Sequence, residues 1–200
     1  MKTGNWTLKK ALPYILIIGG IIAIYCAFVL SQDKIKLLEN PHFVPSCNLN
    51  PVISCGSVMQ SSQAKAFGFP NPFIGLGAYS ALVTIGVAML AGGRFKRWFW
   101  VLVNIGMALG TAFAFWLLFE SVYRIHALCP FCLGVDAATI PMFWYLTLYN
   151  IDQRNIRLPK GAQPVYGWVR RHHLDLLILL FVIITGLILK HFWYYYGKNL

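Results

Sequence analysis

The sequence predicts an all-α integral membrane protein whose chain crosses the bilayer five times. Hydrophobic residues make up 58% of its 200 residues and charged residues only 12%, whereas about a quarter of the residues of a soluble domain are charged. Apolar segments close to the roughly 20 residues that span a bilayer recur along the chain. The five predicted spans are Leu12–Leu30, Phe73–Gly92, Trp98–Phe119, Leu128–Tyr149 and Leu174–Tyr196.

The first span resembles a signal peptide in its position, because it follows Lys9 and Lys10 near the N-terminus. Its apolar core is longer than the usual core of about 7 to 15 residues, and no small-x-small cleavage site precedes Ser31. We therefore expect this segment to be retained as a membrane-spanning helix.

The distribution of basic residues predicts the orientation of the chain. With the N-terminus inside, eleven of the 17 Lys and Arg residues lie in inner segments, which is the arrangement that the positive-inside rule favours. These basic connections also account for the net charge of +11 without nucleic-acid binding. The inner residues are Lys2, Lys9, Lys10, Arg94, Lys96, Arg97, Arg154, Arg157, Lys160, Arg170 and Arg171, and the outer ones are Lys34, Lys36, Lys65, Arg124, Lys190 and Lys198.

This orientation places two pairs of cysteines on the outer side of the membrane. Cys47 and Cys55, the loop pair, lie in the 31–72 segment, which is the longest outer connection. Cys129 and Cys132, the helix pair, begin the fourth span at the same surface. Because thiols and disulfides on one face can exchange with one another, the arrangement indicates an electron relay.

The outer 31–72 segment carries signals for short helical elements. Residues 34–40 are expected to form a short helical turn that ends at Asn40-Pro41. Ser54 is a suitable N-cap for a short helix that continues towards Phe67 and lies on the membrane surface. Pro72 fits the first turn of the second span.

The helix pair, in the segment Cys129-Pro130-Phe131-Cys132, has the spacing of a redox-active dithiol. Two intervening residues let the sulfurs form and break a disulfide, and a helix N-terminus stabilises a thiolate. A haem attachment site would have His where Leu133 stands. A zinc site would need two further ligands, which Cys47 and Cys55 could offer.

The loop pair permits two interpretations. In an oxidising compartment, Cys47 and Cys55 could form a purely structural disulfide. Because Gly56 follows directly and a second pair lies on the same face, we favour an exposed, mobile pair that exchanges with a soluble partner. Cys26 stands alone within the first span and is expected to be a packed apolar side chain.

A dithiol at the head of a membrane helix can deliver electrons to a carrier in the lipid. Each disulfide step moves two electrons, so the expected carrier is a quinone. Asn71 offers either a hydrogen-bond donor to the quinone or a simple cap before Pro72. Asp136 lies one turn beyond Cys132, where it could protonate the quinone or a thiol, or bond to a neighbouring helix.

Two groups of residues have simpler expected roles. Charged side chains at the mouth of the site are expected to be interfacial, namely Glu120, Arg124 and His126. Glycine pairs are expected to permit close helix packing, namely Gly75 with Gly77 and Gly106 with Gly110.

Together these motifs resemble the vitamin K epoxide reductase family in its bacterial branch. The resemblance rests on Cys47-x7-Cys55, Ser61, Asn71-Pro-Phe-Ile-Gly75 and Cys129-Pro-Phe-Cys132, and it covers about residues 12–150. It implies a four-helix transmembrane bundle around a quinone. Residues 1–150 would then form the catalytic core, and residues 151–200 would add a cytoplasmic loop and the fifth span.

The resemblance implies a direction for the relay. Cys47 would receive electrons from the partner, Cys55 would pass them to Cys129, and Cys132 would face the quinone. Many bacterial members carry a fused thioredoxin-like domain. None is present in this sequence, so a separate soluble thioredoxin-fold disulfide oxidase, DsbA-like, is the implied partner.

The resemblance also assigns the residues of the quinone site. Asn71 would hydrogen-bond to the quinone, and Ser61 would support the site. Asp136 stands where animal members carry a tyrosine, so the second quinone contact differs from theirs.

The expected activity is therefore oxidation of a periplasmic thioredoxin-fold protein, with electrons passing to ubiquinone or menaquinone in the bacterial inner membrane. Two alternatives remain at this point. One is reduction of a quinone epoxide, as in animal members. The other is a non-enzymatic membrane protein held together by two structural disulfides.

Overall fold

The computed structural model describes residues 3–197 and confirms the predicted all-α membrane architecture. Among these residues, five helices are long and apolar enough to cross a membrane, and each contains or overlaps one predicted span. Within the described range, extended pairing is limited to one isolated bridge. Lys2 and Lys198, which enter the charge count, lie outside this range, as do the outer ends of the two predicted domains.

Eight α-helices make up most of the described chain. The spanning helices are α1 (Thr3–Glu39), α3 (Pro72–Leu90), α4 (Arg97–Glu120), α5 (Pro130–Asp152) and α7 (His173–His191). The shorter helices are α2 (Cys55–Gln60), α6 (Gln163–Arg171) and α8 (Trp193–Tyr196). A π-helical turn (Ser121–Ile125) and two 3₁₀ turns (Ser62–Lys65 and Lys160–Ala162) lie between them.

Helix α1 continues well past its predicted apolar segment. It includes the residues that were expected to form a separate turn and ends at Glu39, directly before Asn40-Pro41. No Gly or Pro interrupts residues 31–39, and a residue that precedes proline is disfavoured in a helix. The extension places Leu37 against the segment that carries the loop pair.

Two shorter elements differ in length from their predictions. Ser54 caps α2 as predicted, because its side chain accepts a hydrogen bond from Ser57 N, but α2 ends at Gln60 and not near Phe67. The fifth span ends at His191, and the aromatic residues after it form the separate turn α8. Local apolar composition predicted these elements but not their ends.

The four core helices pack in the order α3, α1, α5 and α4. Leu12 and Leu16 of α1 and Met142 of α5 are fully buried in one apolar core. Helix α3 approaches α1 closely at Gly86, where a Cβ would lie 2.9 Å from Pro13 O. Helices α3 and α4 stand at the two ends of this row, and a cavity lies between them.

Helix α7 lies beside the bundle and contacts it near its two ends. At one end, Tyr145 OH and His173 Nδ1 lie 3.1 Å apart, within hydrogen-bond distance. At the other end, Ile188 and Phe192 pack beside the π-helical turn. The amphipathic helix α6, which the sequence reading missed, joins α5 to α7, and Tyr166 OH donates a 2.7 Å hydrogen bond to Asp152 Oδ1.

Candidate active site

A short backbone pairing joins the segment before α2 to the segment before α5. Leu128 N donates a hydrogen bond to Val52 O (2.6 Å), and Ser54 N donates one to Leu128 O (2.9 Å). These bonds form an isolated parallel β-bridge between Ile53 and Leu128, here called the bridge. Because Cys55 follows Ser54 and Cys129 follows Leu128, the pairing brings one cysteine of each pair together.

Three of the four paired cysteines, Cys47, Cys55 and Cys129, lie in one buried cluster, and the partly buried Cys132 packs against it. Cys55 and Cys129 are the most deeply buried, with 0% and 1% of their surface exposed. The loop pair forms a disulfide, whereas Cys129 and Cys132 are free thiols. Across residues 3–197, no three His, Cys, Asp or Glu side chains are grouped so as to hold a metal ion. The apolar neighbours of the cluster are Leu30, Leu37, Phe43, Val58, Met59 and Phe131.

The loop pair is held in an ordered hydrogen-bond framework. Asn48 Oδ1 accepts hydrogen bonds from Gly56 N (2.8 Å) and Ser54 Oγ (3.3 Å). Gly56 was expected to make the loop mobile, but it lies in the first turn of α2, where a Cβ would meet the Asn48 amide at 2.8 Å. Cys47 was expected to be exposed and is only 6% exposed, because the apolar side chains of the cluster pack around it.

The helix pair stands at the start of α5. Cys129 is the N-cap residue and Pro130 the first helical residue, and Cys132 N donates a 3.2 Å hydrogen bond to Cys129 Sγ. The Cys132 thiol and the backbone N–H groups of Cys132 and Phe131 hold the pKa of Cys129 below its ordinary value, although burial opposes them. A thiol with a lowered pKa is ionised more readily near neutral pH and is a better leaving group.

A cavity of about 410 Å³ opens beside the helix pair, between α3 and α4. Helices α1, α2 and α5 and the turns after α2 and α4 also line it, and most of its lining is apolar. Cys129 and Cys132 belong to the lining, so the cavity lies on the helix-pair side of the cluster. Its polar lining residues are Lys34, Ser61, Gln63, Asn71, Tyr79, Ser121, Asp136 and Thr139.

Asn71 lines the cavity at the start of α3. Its Nδ2 donates a hydrogen bond to Gln63 O (2.7 Å), and its Oδ1 accepts one from Ala66 N (3.1 Å). Its side chain does not cap α3, which was the simpler of the two expected roles. Since an amide group carries two N–H bonds, Asn71 can hold this turn and also donate to a ligand.

Ser61 and Asp136 line the same cavity as Asn71. Ser61 Oγ donates a 2.7 Å hydrogen bond to Val58 O, which fixes the end of α2. Asp136 lies one helical turn beyond Cys132 on α5. The structure thus brings all three residues of the predicted quinone site to one cavity, next to the helix pair.

Tyr79 lines the cavity but was not among the site residues predicted from the sequence. Its hydroxyl lies 2.7 Å from Thr139 Oγ1, and Thr139 Oγ1 donates its own proton to Val135 O at 2.7 Å. Tyr79 OH is therefore the donor to Thr139. A sequence signal was available, because Asn71, Gly75 and Tyr79 follow one another at four-residue intervals on one face of α3.

Only one of the four glycines that were expected to permit close helix packing faces a neighbouring helix. A Cβ on Gly75 would lie 3.4 Å from Ala27 Cβ on α1, so this glycine does face a neighbouring helix. At Gly77, Gly106 and Gly110 a Cβ would meet nothing within 4 Å, which contradicts the expected close packing there. Gly106 and Gly110 line the cavity, and their missing side chains widen it.

Two further side chains near the site have defined surroundings. Cys26 is buried, and its Sγ lies 2.9 Å from the point that a Cβ on Gly134 would occupy, so it packs against α5 as a small apolar residue would. Glu120, expected to be an interfacial charge, is 3% exposed. Its carboxylate accepts a 3.0 Å hydrogen bond from Gln63 Nε2 and pairs with Arg124 at 3.3 Å.

The fold and the site define a class of protein: a helical membrane protein that holds two cysteine pairs in one cluster beside an apolar cavity. The vitamin K epoxide reductase family model matches residues 14–147, and the chain belongs to this family of membrane oxidoreductases. The matched range includes both cysteine pairs and α3 to most of α5, and it ends before α6 and α7. No curated protein matches the chain at a significant level.

Proposed function

We propose that the protein is a quinone-dependent thiol oxidoreductase that reoxidises a periplasmic thioredoxin-fold, DsbA-like disulfide oxidase. The net reaction is dithiol plus quinone giving disulfide plus quinol. The observation that carries this proposal is the position of the helix pair. Cys129 is joined through the bridge to the loop that carries Cys55, and with Cys132 it also lines the cavity.

The first half of the reaction oxidises the partner. A thiolate of the partner attacks Cys47 Sγ, the Cys47–Cys55 bond breaks, and Cys55 leaves as a thiolate. The second thiol of the partner then attacks the mixed disulfide, which releases the oxidised partner and a reduced loop pair. Cys47 is the more accessible member of the loop pair, with 6% exposure against 0% for Cys55, which supports this order.

The second half passes the electron pair to the helix pair. Cys55 attacks Cys129 of an oxidised helix pair, and Cys132 leaves as a thiolate. Cys47 then resolves the Cys55–Cys129 bond, so that the loop disulfide reforms and Cys129 and Cys132 become the dithiol. The arrangement of one disulfide and two free thiols corresponds to the state that is ready to reduce quinone.

Quinone reduction takes place in the cavity. The dithiol of Cys129 and Cys132 supplies two electrons and two protons and returns to the disulfide. Asn71 donates its second N–H to one ring oxygen, with Ser61 holding the adjoining end of α2. Asp136 on α5 is the group available at the other oxygen, and Tyr79 on α3, which donates to Thr139, lines the same cavity. The apolar lining that α3 and α4 contribute suits an apolar tail.

The proposed setting is the bacterial inner membrane. The N-terminus lies in the cytoplasm and both cysteine pairs face the periplasm, which the distribution of Lys and Arg supports. Residues 1–150 form the catalytic core, and residues 151–200 add the cytoplasmic loop and the fifth span. Ubiquinone and menaquinone are both of the expected substrate class.

Replacement of Cys132 by Ser tests the proposed function. The variant should lose quinone-dependent oxidation of a reduced thioredoxin-fold protein, because no disulfide can form within the helix pair. Cys26→Ala is the matched control, since it removes a buried thiol of the same bundle that has no part in the relay. Full activity of Cys132→Ser, measured by alkylation of the partner's remaining thiols, would refute the assignment.

A further inference from the structure

The end of the fifth span reaches the bridge, the backbone pairing of residues 52–54 with Leu128. Phe192, which lies between α7 and α8, is fully buried and packs in one cluster with Val52, Val122 and Leu128. Val52 and Leu128 are the residues that share the 2.6 Å backbone hydrogen bond of the bridge. An aromatic side chain from outside the four-helix bundle therefore supports the pairing that brings the two cysteine pairs together.

A second contact from the same helix end holds the turn before the helix pair. His126 has a φ of 56°, in the left-handed region that is unfavourable for residues other than glycine. His126 Nδ1 lies 3.0 Å from His191 Nε2, and the two rings stack with centroids 5.2 Å apart. His126 stands three positions before Cys129, so this contact acts on the chain that leads into the helix pair.

We propose that the His191–Phe192 end of α7 positions the two cysteine pairs for electron transfer, with Phe192 as the main positioning residue. This inference rests on the proposed function, because it concerns the exchange between Cys55 and Cys129. Residues 191 and 192 lie beyond the range that the family model matches, so these positioning contacts come from the part of the chain that follows the family core.

The physical reason is the short range of disulfide exchange. Two sulfurs bond at about 2 Å, so an attacking thiolate must approach its target closely and in line. Removing the Phe192 ring leaves a void behind Val52 and Leu128, and the bridge is then free to shift towards it. A displacement on the order of 1 Å is enough to slow a positioned reaction by up to about a hundredfold.

The direct test isolates one cysteine from each pair. A full-length chain in lipid nanodiscs with Cys26, Cys47 and Cys132 replaced by Ala keeps only Cys55 and Cys129. Diamide then oxidises the two thiols to a disulfide, and the rate is read by alkylation and mass spectrometry. We expect Phe192→Ala to slow this rate by about tenfold to a hundredfold, and Phe192→Leu to have a smaller effect.

Leu187→Ala is the matched control, because Leu187 lies on α7, five positions before Phe192, and is half exposed. Its rate should equal that of the parent chain. Equal rates for Phe192→Ala and the parent would overturn the positioning role and leave the relay intact. Failure of the parent itself to form the disulfide would overturn the relay, and the positioning role with it.

A second readout separates positioning from general destabilisation. In a Cys47→Ala/Cys55→Ala chain, dithiothreitol must reduce the helix pair directly, so quinone reduction no longer depends on the bridge. Phe192→Ala should leave this reaction unchanged, while in the native-cysteine chain it slows partner-driven quinone reduction. Equal losses in both reactions would show a merely structural role and contradict the proposal.

Discussion

The two cysteine pairs share one buried cluster but have different surroundings. The loop pair is a disulfide enclosed by apolar side chains and fixed by Asn48, and it does not belong to the cavity lining. The helix pair consists of two thiols at the start of α5, with Cys129 accepting a backbone hydrogen bond and both sulfurs beside the cavity. The position of each pair, more than its sequence spacing, distinguishes what it can react with.

The largest predicted effect is the loss of quinone reduction when a cysteine is replaced. Which electron donors show this loss should differ between the two pairs. Cys129→Ser should lower quinone reduction on the order of a hundredfold or more with either a reduced partner protein or dithiothreitol, because the helix pair is needed in both reactions. Cys47→Ser should cause a comparable loss only with the partner protein. Quinone absorbance measures both reactions, and an equal loss of the dithiothreitol reaction in Cys47→Ser would contradict the division of roles.

Filling the cavity should impair the reaction of the helix pair with quinone and leave the loop pair unaffected. Gly110→Phe places a ring in open space within the cavity and should raise the KM for quinone at least about tenfold, which corresponds to about 1.4 kcal/mol of binding. Gly77→Phe is the control, because Gly77 also has open space around it but lies outside the cavity lining. Equal KM values for the two variants would show that quinone binds elsewhere.

A smaller effect is expected at Tyr79. Tyr79→Phe keeps the ring and removes the hydroxyl, so the hydrogen bond to Thr139 that joins α3 to α5 beside the cavity, worth about 0.5–1.5 kcal/mol, is lost, and kcat/KM for quinone should fall about two- to tenfold. Oxidation of the partner by the preformed loop disulfide in a single turnover should not change. Tyr14→Phe, at an exposed tyrosine of α1, serves as the comparison. A loss confined to the partner step would contradict the cavity assignment.

The smallest effect concerns the acidity of Cys129. Its pKa lies below the ordinary value chiefly because the Cys132 thiol donates to it, so its thiolate persists to lower pH than that of a free cysteine. In a chain without Cys26, Cys47 and Cys55, Cys132→Ala should move the midpoint of Cys129 alkylation to higher pH. Cys132→Ser keeps a hydroxyl donor and should shift it less. A midpoint in Cys132→Ala equal to that of the parent chain would exclude the thiol as the cause.

The sequence predicted those features that depend on local composition. The five spans follow from apolar length, the start of α5 from Cys129-Pro130, and the cap of α2 from Ser54. Asn71 and Asp136 were singled out from their positions in the second and fourth spans, Ser61 through the family resemblance, and all three do line one cavity.

Features that depend on distant segments could not be read in the same way. The bridge joins residues 52–54 to Leu128 through backbone atoms, which leave no pattern in the side chains. The burial of Cys47 depends on α1 continuing to Glu39. The supporting contact of Phe192 comes from a residue more than 60 positions further along the chain than Leu128. Periodicity within a helix reports none of these contacts.

The relay from the loop pair to the helix pair through Cys55 and Cys129 is the central claim, and a comparison of two cysteine pairs tests it most directly. One chain keeps only Cys55 and Cys129, and the other keeps only Cys47 and Cys129. Under the same oxidant, the Cys55–Cys129 disulfide should form at least about tenfold faster, since the bridge aligns these two residues. Equal or faster formation of Cys47–Cys129 would contradict the account.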